Sequence, residues 1–280
     1  MSTIVKNQVL SSPIEKKMAK EVSGTGEWAA QNANFITGCS HDCRYCYSKS
    51  MAIRFGRKTA ESWKEEEVRQ HSLRTKLSPK SGYTMFPSSH DIGIENMAYS
   101  LAFLGRLLEN KHKVLVVTKP HLSVIKAICE RFVDFKDHIL FRFTIGSTNS
   151  ETLLFWEPGA PVFEERLMAL QYAYSQGFNT SVSAEPALDI KTELLIETLM
   201  PYVTDAIWVG LPNRLNVILK LNGSNDQETL EKAKILRNSQ TDACVKDLYS
   251  KYSDNPKIKW KDSIKKIIGI ERPTAKGLDV

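Results

Sequence analysis

The segment ITGCSHDCRYCYSK, residues 36–49, carries three cysteines, Cys39, Cys43 and Cys46, in the spacing C-x3-C-x2-C. The chain has five cysteines in all, and the other two, Cys129 and Cys244, lie far away in sequence. An odd count with three thiols clustered points to metal or redox chemistry and away from a disulfide framework. A structural zinc site takes four ligands. This loop offers three thiolates, with His41 between two of them and His90 at a distance as candidate fourth donors. An iron–sulfur cluster is the second option, since thiolates are its usual ligands. Three thiolates on a [4Fe–4S] cube leave one iron open to an exogenous ligand.

The elements that must position this loop read as α/β. The loop follows a short apolar strand in NANFITG and precedes a helical stretch, YSKSMAIRF. Strands are expected over 33–37, 82–86, 113–118, 139–145, 180–184 and 206–210. Between them, Met97, Leu101, Leu104 and Leu108 recur at helical spacing. So do Ile125, Cys129 and Phe132, and then Phe163, Leu167, Leu170 and Tyr174, with Gly177 as a helix stop. This alternation predicts βαβ units and a parallel sheet. Six units suit a partial (β/α)6 TIM-like barrel, with the cysteine loop at the C-terminal end of its first strand, where such barrels carry their sites.

Two strands show a polar face. Arg142 and Thr144 alternate with Phe141, Phe143 and Ile145, and Ser181, Ser183 and Glu185 alternate with Val182 and Ala184. A parallel strand covered on both sides normally reads apolar throughout. With helices outside, the polar face points inward, so the expected barrel has a polar lumen. Residues 1–26 read as an N-terminal arm, 27–220 as the core and 221–280 as a helical, Lys-rich C-terminal extension. Cys129 and Cys244 both fall on apolar helix ladders and read as core.

Net charge is +6 with 25% charged residues, which permits a polyanionic partner without requiring one. No apolar run approaches the ~20 residues that cross a bilayer, and the N-terminus lacks a signal-type apolar region. The expected location is the cytoplasm, where thiols stay reduced. Between residues 251 and 280, eight Lys/Arg stand against four Asp/Glu, interleaved with Tyr252 and Trp260. That tail reads as an amphipathic helix with a solvated face, or as a phosphate-contacting surface.

The loop, with Tyr45 as the aromatic of C-x3-C-x-aromatic-C, resembles the cluster motif of the radical S-adenosylmethionine (SAM) superfamily. The pieces MFPSSHDI, VVTKPH, FRFTIGS, WEPGAPVFEERL, TSVSAEPALD and IWVGLPN resemble its spore photoproduct lyase-like branch, and together span about residues 30–213. The resemblance implies that Cys39, Cys43 and Cys46 ligate a [4Fe–4S] cluster and that SAM chelates the open iron. It implies reductive cleavage to a 5′-deoxyadenosyl radical that abstracts hydrogen from a substrate, with the protein binding, orienting and excluding water. Ser88, Ser89, His90 and Asp91 then correspond to the element that meets the methionyl amino group, here without its usual Gly-Gly-Glu form. His90 is either a ligand contact or a structural hydrogen-bond partner. Lys119 pairs with the methionyl carboxylate. Thr144 and Ser147 meet the ribose or carboxylate, Ser183 and Glu185 the ribose hydroxyls, and Tyr45 packs near the adenine. Trp156 and Glu157 in WEPGAP shape the substrate mouth or fix the loop.

Spore photoproduct lyases resemble one another in an extra hydrogen-donating cysteine, and no cysteine here sits at a strand end beyond the cluster loop. Kinship and charge favour nucleic acid or a nucleotide as substrate, with a reductant such as flavodoxin or ferredoxin and no membrane partner. The competing expectation is a non-enzymatic zinc- or iron–sulfur-binding protein that contacts nucleic acid.

Overall fold

Runs of alternating and helically spaced apolar residues become strands and helices in the expected rhythm. A computed structural model describes residues 21–277. Most of the expected N-terminal arm, and residues 278–280, lie outside the described residues. In chain order the elements are β1 (Gln31–Asn32), β2 (Ile36–Thr37), α1 (Tyr47–Arg54), β3 (Glu67–Val68), α2 (Gln70–Arg74), β4 (Tyr83–Phe86) and α3 (Met97–Glu109). There follow β5 (Lys113–Thr118), α4 (Leu122–Arg131), β6 (Ile139–Thr144), α5 (Ser150–Trp156), α6 (Phe163–Ser175), β7 (Asn179–Ala184) and α7 (Thr192–Leu199). The last are β8 (Ile207–Val209), α8 (Leu215–Leu221), α9 (Gln227–Ser239), α10 (Asp242–Tyr252), β9 (Ile258–Trp260) and α11 (Asp262–Ile268).

One sheet of seven strands runs β1-β4-β5-β6-β7-β8-β9, and every neighbouring pair is parallel. This is the partial α/β barrel that the strand–helix alternation predicts. Two expectations need correction. The first ladder strand is Gln31–Asn32, continued by Ala33 N–H to Met85 O at 2.8 Å, not residues 33–37. Ile36 and Thr37 leave the sheet and pair antiparallel with Val68 and Glu67. The stretch is apolar because Phe35 and Ile36 pack into the core, not because it forms a long strand. The C-terminal extension is not wholly helical, since Ile258–Trp260 pairs with Ile207–Val209 as a seventh strand. Three residues are too few for periodicity to separate from the Lys-rich helices around them.

The strand faces divide as the alternation requires. Phe141, Phe143, Ile145, Val182 and Ala184 enter the main core, where they meet α3, α4, α6 and α7. The opposite face lines the lumen. It holds Met85, Leu115, Leu140, Ala206 and Trp208, with Trp28 and Ala29 packed among them from the N-terminal segment. Arg142 crosses this layer, its guanidinium 4.7 Å from the Trp28 ring and 5.0 Å from the Trp208 ring. It donates to Ser181 Oγ and to Asp205 Oδ2, each at 3.0 Å. The lumen is therefore polar and filled, because a charged planar group stacked between two indoles keeps favourable contacts out of water.

The same N-terminal segment covers the open seam between β1 and β9. Val22 N–H donates to Pro273 O and Gly277 N–H to Gly26 O, each at 2.8 Å. Lys261 Nζ donates to Gly24 O at 2.9 Å. Trp28 is the apolar part of this closure. Trp28→Ala is expected to cost about 3–5 kcal/mol of stability. Chemical denaturation followed by far-UV circular dichroism measures that loss.

Candidate active site

The cysteine loop is shaped by backbone contacts before any thiol is considered. Gly38 sits at φ +102°, and a Cβ there would lie 2.3 Å from Glu65 O, so only glycine turns the chain into the loop. Cys39 N–H donates to Trp63 O, Cys46 N–H to Cys43 O and Arg44 N–H to Trp156 O. Ser40 donates from its backbone N–H and its hydroxyl to Glu66, whose other oxygen accepts from Asn96. Asn222 donates its amide to both Arg44 O and Cys46 O, at 2.9 and 3.0 Å. Cys46 caps α1, its sulfur accepting the Lys49 N–H at 3.3 Å.

Cys39 and Cys43 are buried, Cys46 is half-buried, and none of the three is in a disulfide. Burial raises the pKa of all three thiols. Repulsion among the thiolates adds to this for Cys39 and Cys43, while the neighbouring Lys119 opposes it at Cys43 and Cys46. Thiols pushed toward their neutral forms by burial suit a group that binds thiolates and brings positive charge of its own. Among the described residues, no three His, Cys, Asp or Glu side chains are gathered to hold a single metal ion.

Neither candidate fourth donor faces these thiols as a ligand. His41 Nδ1 lies 3.1 Å from Asp91 Oδ2. His90 packs edge-on against Phe35 and Phe86. Its Nε2 accepts the Phe35 N–H at 3.4 Å, so Nδ1 carries the hydrogen toward Asp91 O at 3.1 Å. Of its two sequence readings, His90 takes the structural one. Asp91 is the hub here. It accepts from Thr118 Oγ1 and from the N–H groups of Lys119 and Ile92, besides the His41 ring. Burial pushes its carboxyl up, but His41 and Lys119 hold it well below the usual carboxylate range. Ser88 and Ser89 are fixed by Asn34, whose Oδ1 accepts both backbone N–H groups at 2.7 and 2.9 Å. The Asn34 amide also donates to Ser88 Oγ.

A second network joins the loop to the turn between α5 and α6. Glu157 and Arg166 form a fully buried ion pair. Arg166 also donates to Pro161 O and Thr144 O. The Tyr45 hydroxyl donates to Glu157. Burial raises the Glu157 carboxyl, yet Arg166, Lys119 and Tyr45 bring it below its ordinary value. Lys119 is the counterpart. Burial lowers it, but Cys43, Glu157 and Asp91 drive it well above the usual lysine range. WEPGAP thus fixes the loop, and the Tyr45 hydroxyl is engaged by Glu157.

Across the mouth, Thr144 and Ser183 are register partners on the lumen face of β6 and β7. Ser147 donates to Asp189, whose other oxygen accepts the Thr148 N–H at 2.9 Å. Glu185 lies 3.5 Å from Lys261 Nζ. Cys129 is buried on α4 as expected, whereas Cys244 is exposed on α10 and not core. Its N–H and thiol both meet the Thr241 hydroxyl at the helix start. Sequence reasoning missed Asn34, Arg166, Asn222 and Lys261. Each acts through a partner remote in the chain and carries no local pattern.

No family model and no curated protein matches this chain. Solved structures do. A variant of spore photoproduct lyase aligns over 88% of this chain and 79% of its own, with 14% identity and a TM-score of 0.52. Spore photoproduct lyase complexed with dinucleoside spore photoproduct aligns over the same shares, with 16% identity and a TM-score of 0.50. Streptococcus suis SuiB bound to S-adenosylmethionine aligns over 89% of this chain and 54% of its own, with 13% identity and a TM-score of 0.51.

The chain has the fold of spore photoproduct lyase. At these identities the likeness is one of architecture, and it agrees with the branch that the motifs resemble. On the spore photoproduct lyase fold, the three thiols stand at the C-terminal ends of the parallel strands, beside Lys119, Asp91 and Glu157.

His90 gives this mouth a measurable pH dependence. Burial pushes its pKa from 6.5 down to about 4. Between these values the unfolded chain binds a proton that the folded chain does not, so stability falls as pH drops through that window. The expected loss is about 3 kcal/mol. Urea midpoints measured across the window should show this decline, and His90→Asn should flatten it.

Proposed function

We propose that this protein is a radical SAM enzyme. The observation that carries the reading is the set of three unbridged thiols, the buried Cys39 and Cys43 and the half-buried Cys46, at the mouth of a spore photoproduct lyase-type barrel. Those thiolates would hold a [4Fe–4S] cluster, with SAM at the remaining iron. When bound, a reduced cluster would supply one electron to the SAM sulfonium, giving methionine and a 5′-deoxyadenosyl radical for hydrogen abstraction.

The chain's own residues bind and orient. Lys119, held protonated by the carboxylates around it, meets the methionyl carboxylate. Thr144 and Ser183, paired in register, and Glu185 meet the ribose. Ser88, Ser89 and Ser147 are held through Asn34 and Asp189, so they shape the rim of the site. Tyr45, tied to Glu157, keeps the loop against the turn between α5 and α6.

For the substrate, a net charge of +6 and the dinucleoside bound by one structural neighbour favour nucleic acid or a nucleotide. SuiB, which binds a precursor peptide, makes a peptide the comparison to test. Neither Cys129 nor Cys244 lines the lumen, so hydrogen return uses a different donor from the extra cysteine of the lyases. A flavodoxin- or ferredoxin-type reductant fits the electron demand. Among the described residues no helix is long and apolar enough to cross a membrane, and a cytoplasmic location fits free thiols. The rival reading, a zinc- or iron–sulfur-binding protein without catalysis, has no observation in its favour.

Anaerobically reconstituted protein, reduced with dithionite and given SAM, is expected to form 5′-deoxyadenosine, and Cys43→Ala is expected to abolish it. Chromatographic quantitation beside iron and sulfide analysis provides the check. Cluster-loaded wild-type protein that neither binds SAM nor forms product would refute the reading.

A further inference from the structure

Three adjacent strands of the sheet end at a charged triad whose Lys261 and Glu27 lie outside the motifs. Glu185 follows β7, Gly210 follows β8 and Lys261 follows β9. Lys261 and Glu27 are fully buried. Lys261 Nζ lies 2.9 Å from Glu27 Oε1 and 3.5 Å from Glu185 Oε2, donates to Gly24 O at 2.9 Å, and sits 4.0 Å over the Trp28 ring. Of the three charged groups, Glu185 alone reaches the accessible mouth, its side chain 28% exposed. The strand between leaves room for this contact. A Cβ on Gly210 would lie 2.9 Å from both Cβ and Cγ of Lys261 and 3.0 Å from Cγ of Glu185. The glycine lets a β9 side chain pass over β8 and reach the acid of β7.

A buried ammonium is costly unless it is paired, and a carboxyl at the mouth accepts hydroxyl hydrogen bonds more strongly, and through both oxygens, when it is ionised. Lys261 meets both conditions at once, anchored by Glu27 and presenting its charge to Glu185. We infer that Lys261 is a positioning residue for the cofactor site, holding the Glu185 carboxylate ionised and aimed at the ribose of SAM. The C-terminal extension is thereby part of the catalytic barrel. This inference rests on the radical SAM reading above. The groups facing Glu185 are Lys261, Glu27 and Asp262, and burial together with the two acids raises its pKa against the pull of Lys261. Without the ammonium, that opposition is lost.

The test is SAM affinity of the full-length, cluster-loaded protein, measured anaerobically by calorimetry at about pH 6.5 and about pH 8.5. Wild type is expected to bind nearly equally at both. Lys261→Met is expected to bind about tenfold more weakly at the lower pH and to recover much of that at the higher, as a carboxyl with a raised pKa regains its charge. A merely structural lysine would lower thermal stability without making SAM binding pH-dependent. Gly210→Ala retains every charge and inserts a methyl into the contact, so it should weaken binding at both pH values. It serves as the probe if Lys261→Met does not fold. Wild-type-like SAM affinity at both pH values in whichever of these variants fold would overturn the inference while leaving the radical SAM reading intact. Failure of cluster-loaded wild type to bind SAM would instead remove the reading and the inference together.

Discussion

The Glu157–Arg166 pair sets the conditions for everything around the cysteine loop. Two opposite charges with no access to water are favourable only when their remaining hydrogen-bonding groups are met, and here they are. Arg166 spends its other donors on the carbonyls of Pro161 and Thr144, and Glu157 takes the Tyr45 hydroxyl. One ion pair therefore locks the last residue of β6, the turn between α5 and α6 and the middle of the cysteine loop into a single body. Lys119 then finds itself among Glu157, Asp91 and Cys43, the surroundings that keep it charged.

The lumen follows the same logic at greater depth. Arg142 and Lys261 are cations inside a sheet, and each is made tolerable by the faces of Trp28 and Trp208 as well as by carboxylates. Trp28 lies outside the strands and comes from the segment that covers the seam. The polar interior and the closed seam are thus one arrangement, since the cations require the indoles and the indole that seals the edge rests on the cations.

Local chemistry was legible in the sequence and remote pairing was not. The three thiols, the parallel sheet and the inward polar face of β6 and β7 rest on spacing that a short window contains. Thr144 and Ser183 lie side by side as their positions in FRFTIGS and TSVSAEP imply. The first strand was misplaced because Phe35 and Ile36 are apolar for packing and not for pairing. His90 read as a ligand contact or a structural partner by residue type alone, and its ring nitrogens meet the Phe35 N–H and the Asp91 carbonyl, partners that no local pattern names. Lys261, in a run of lysines, looked like solvated surface. Its role depends on Gly210 and Glu185, respectively 51 and 76 positions earlier in the chain.

The two hydrogen bonds from Asn222 bear on the order of events in making this protein. They close contacts spanning 178 and 176 residues, to the carbonyls of Arg44 and Cys46. The thiol loop is made before this side chain, so its final backbone shape awaits a residue 176 positions beyond Cys46. Domains generally fold as units during translation. Nascent chains halted before residue 222 would expose three cysteines in a loop still lacking one of its braces.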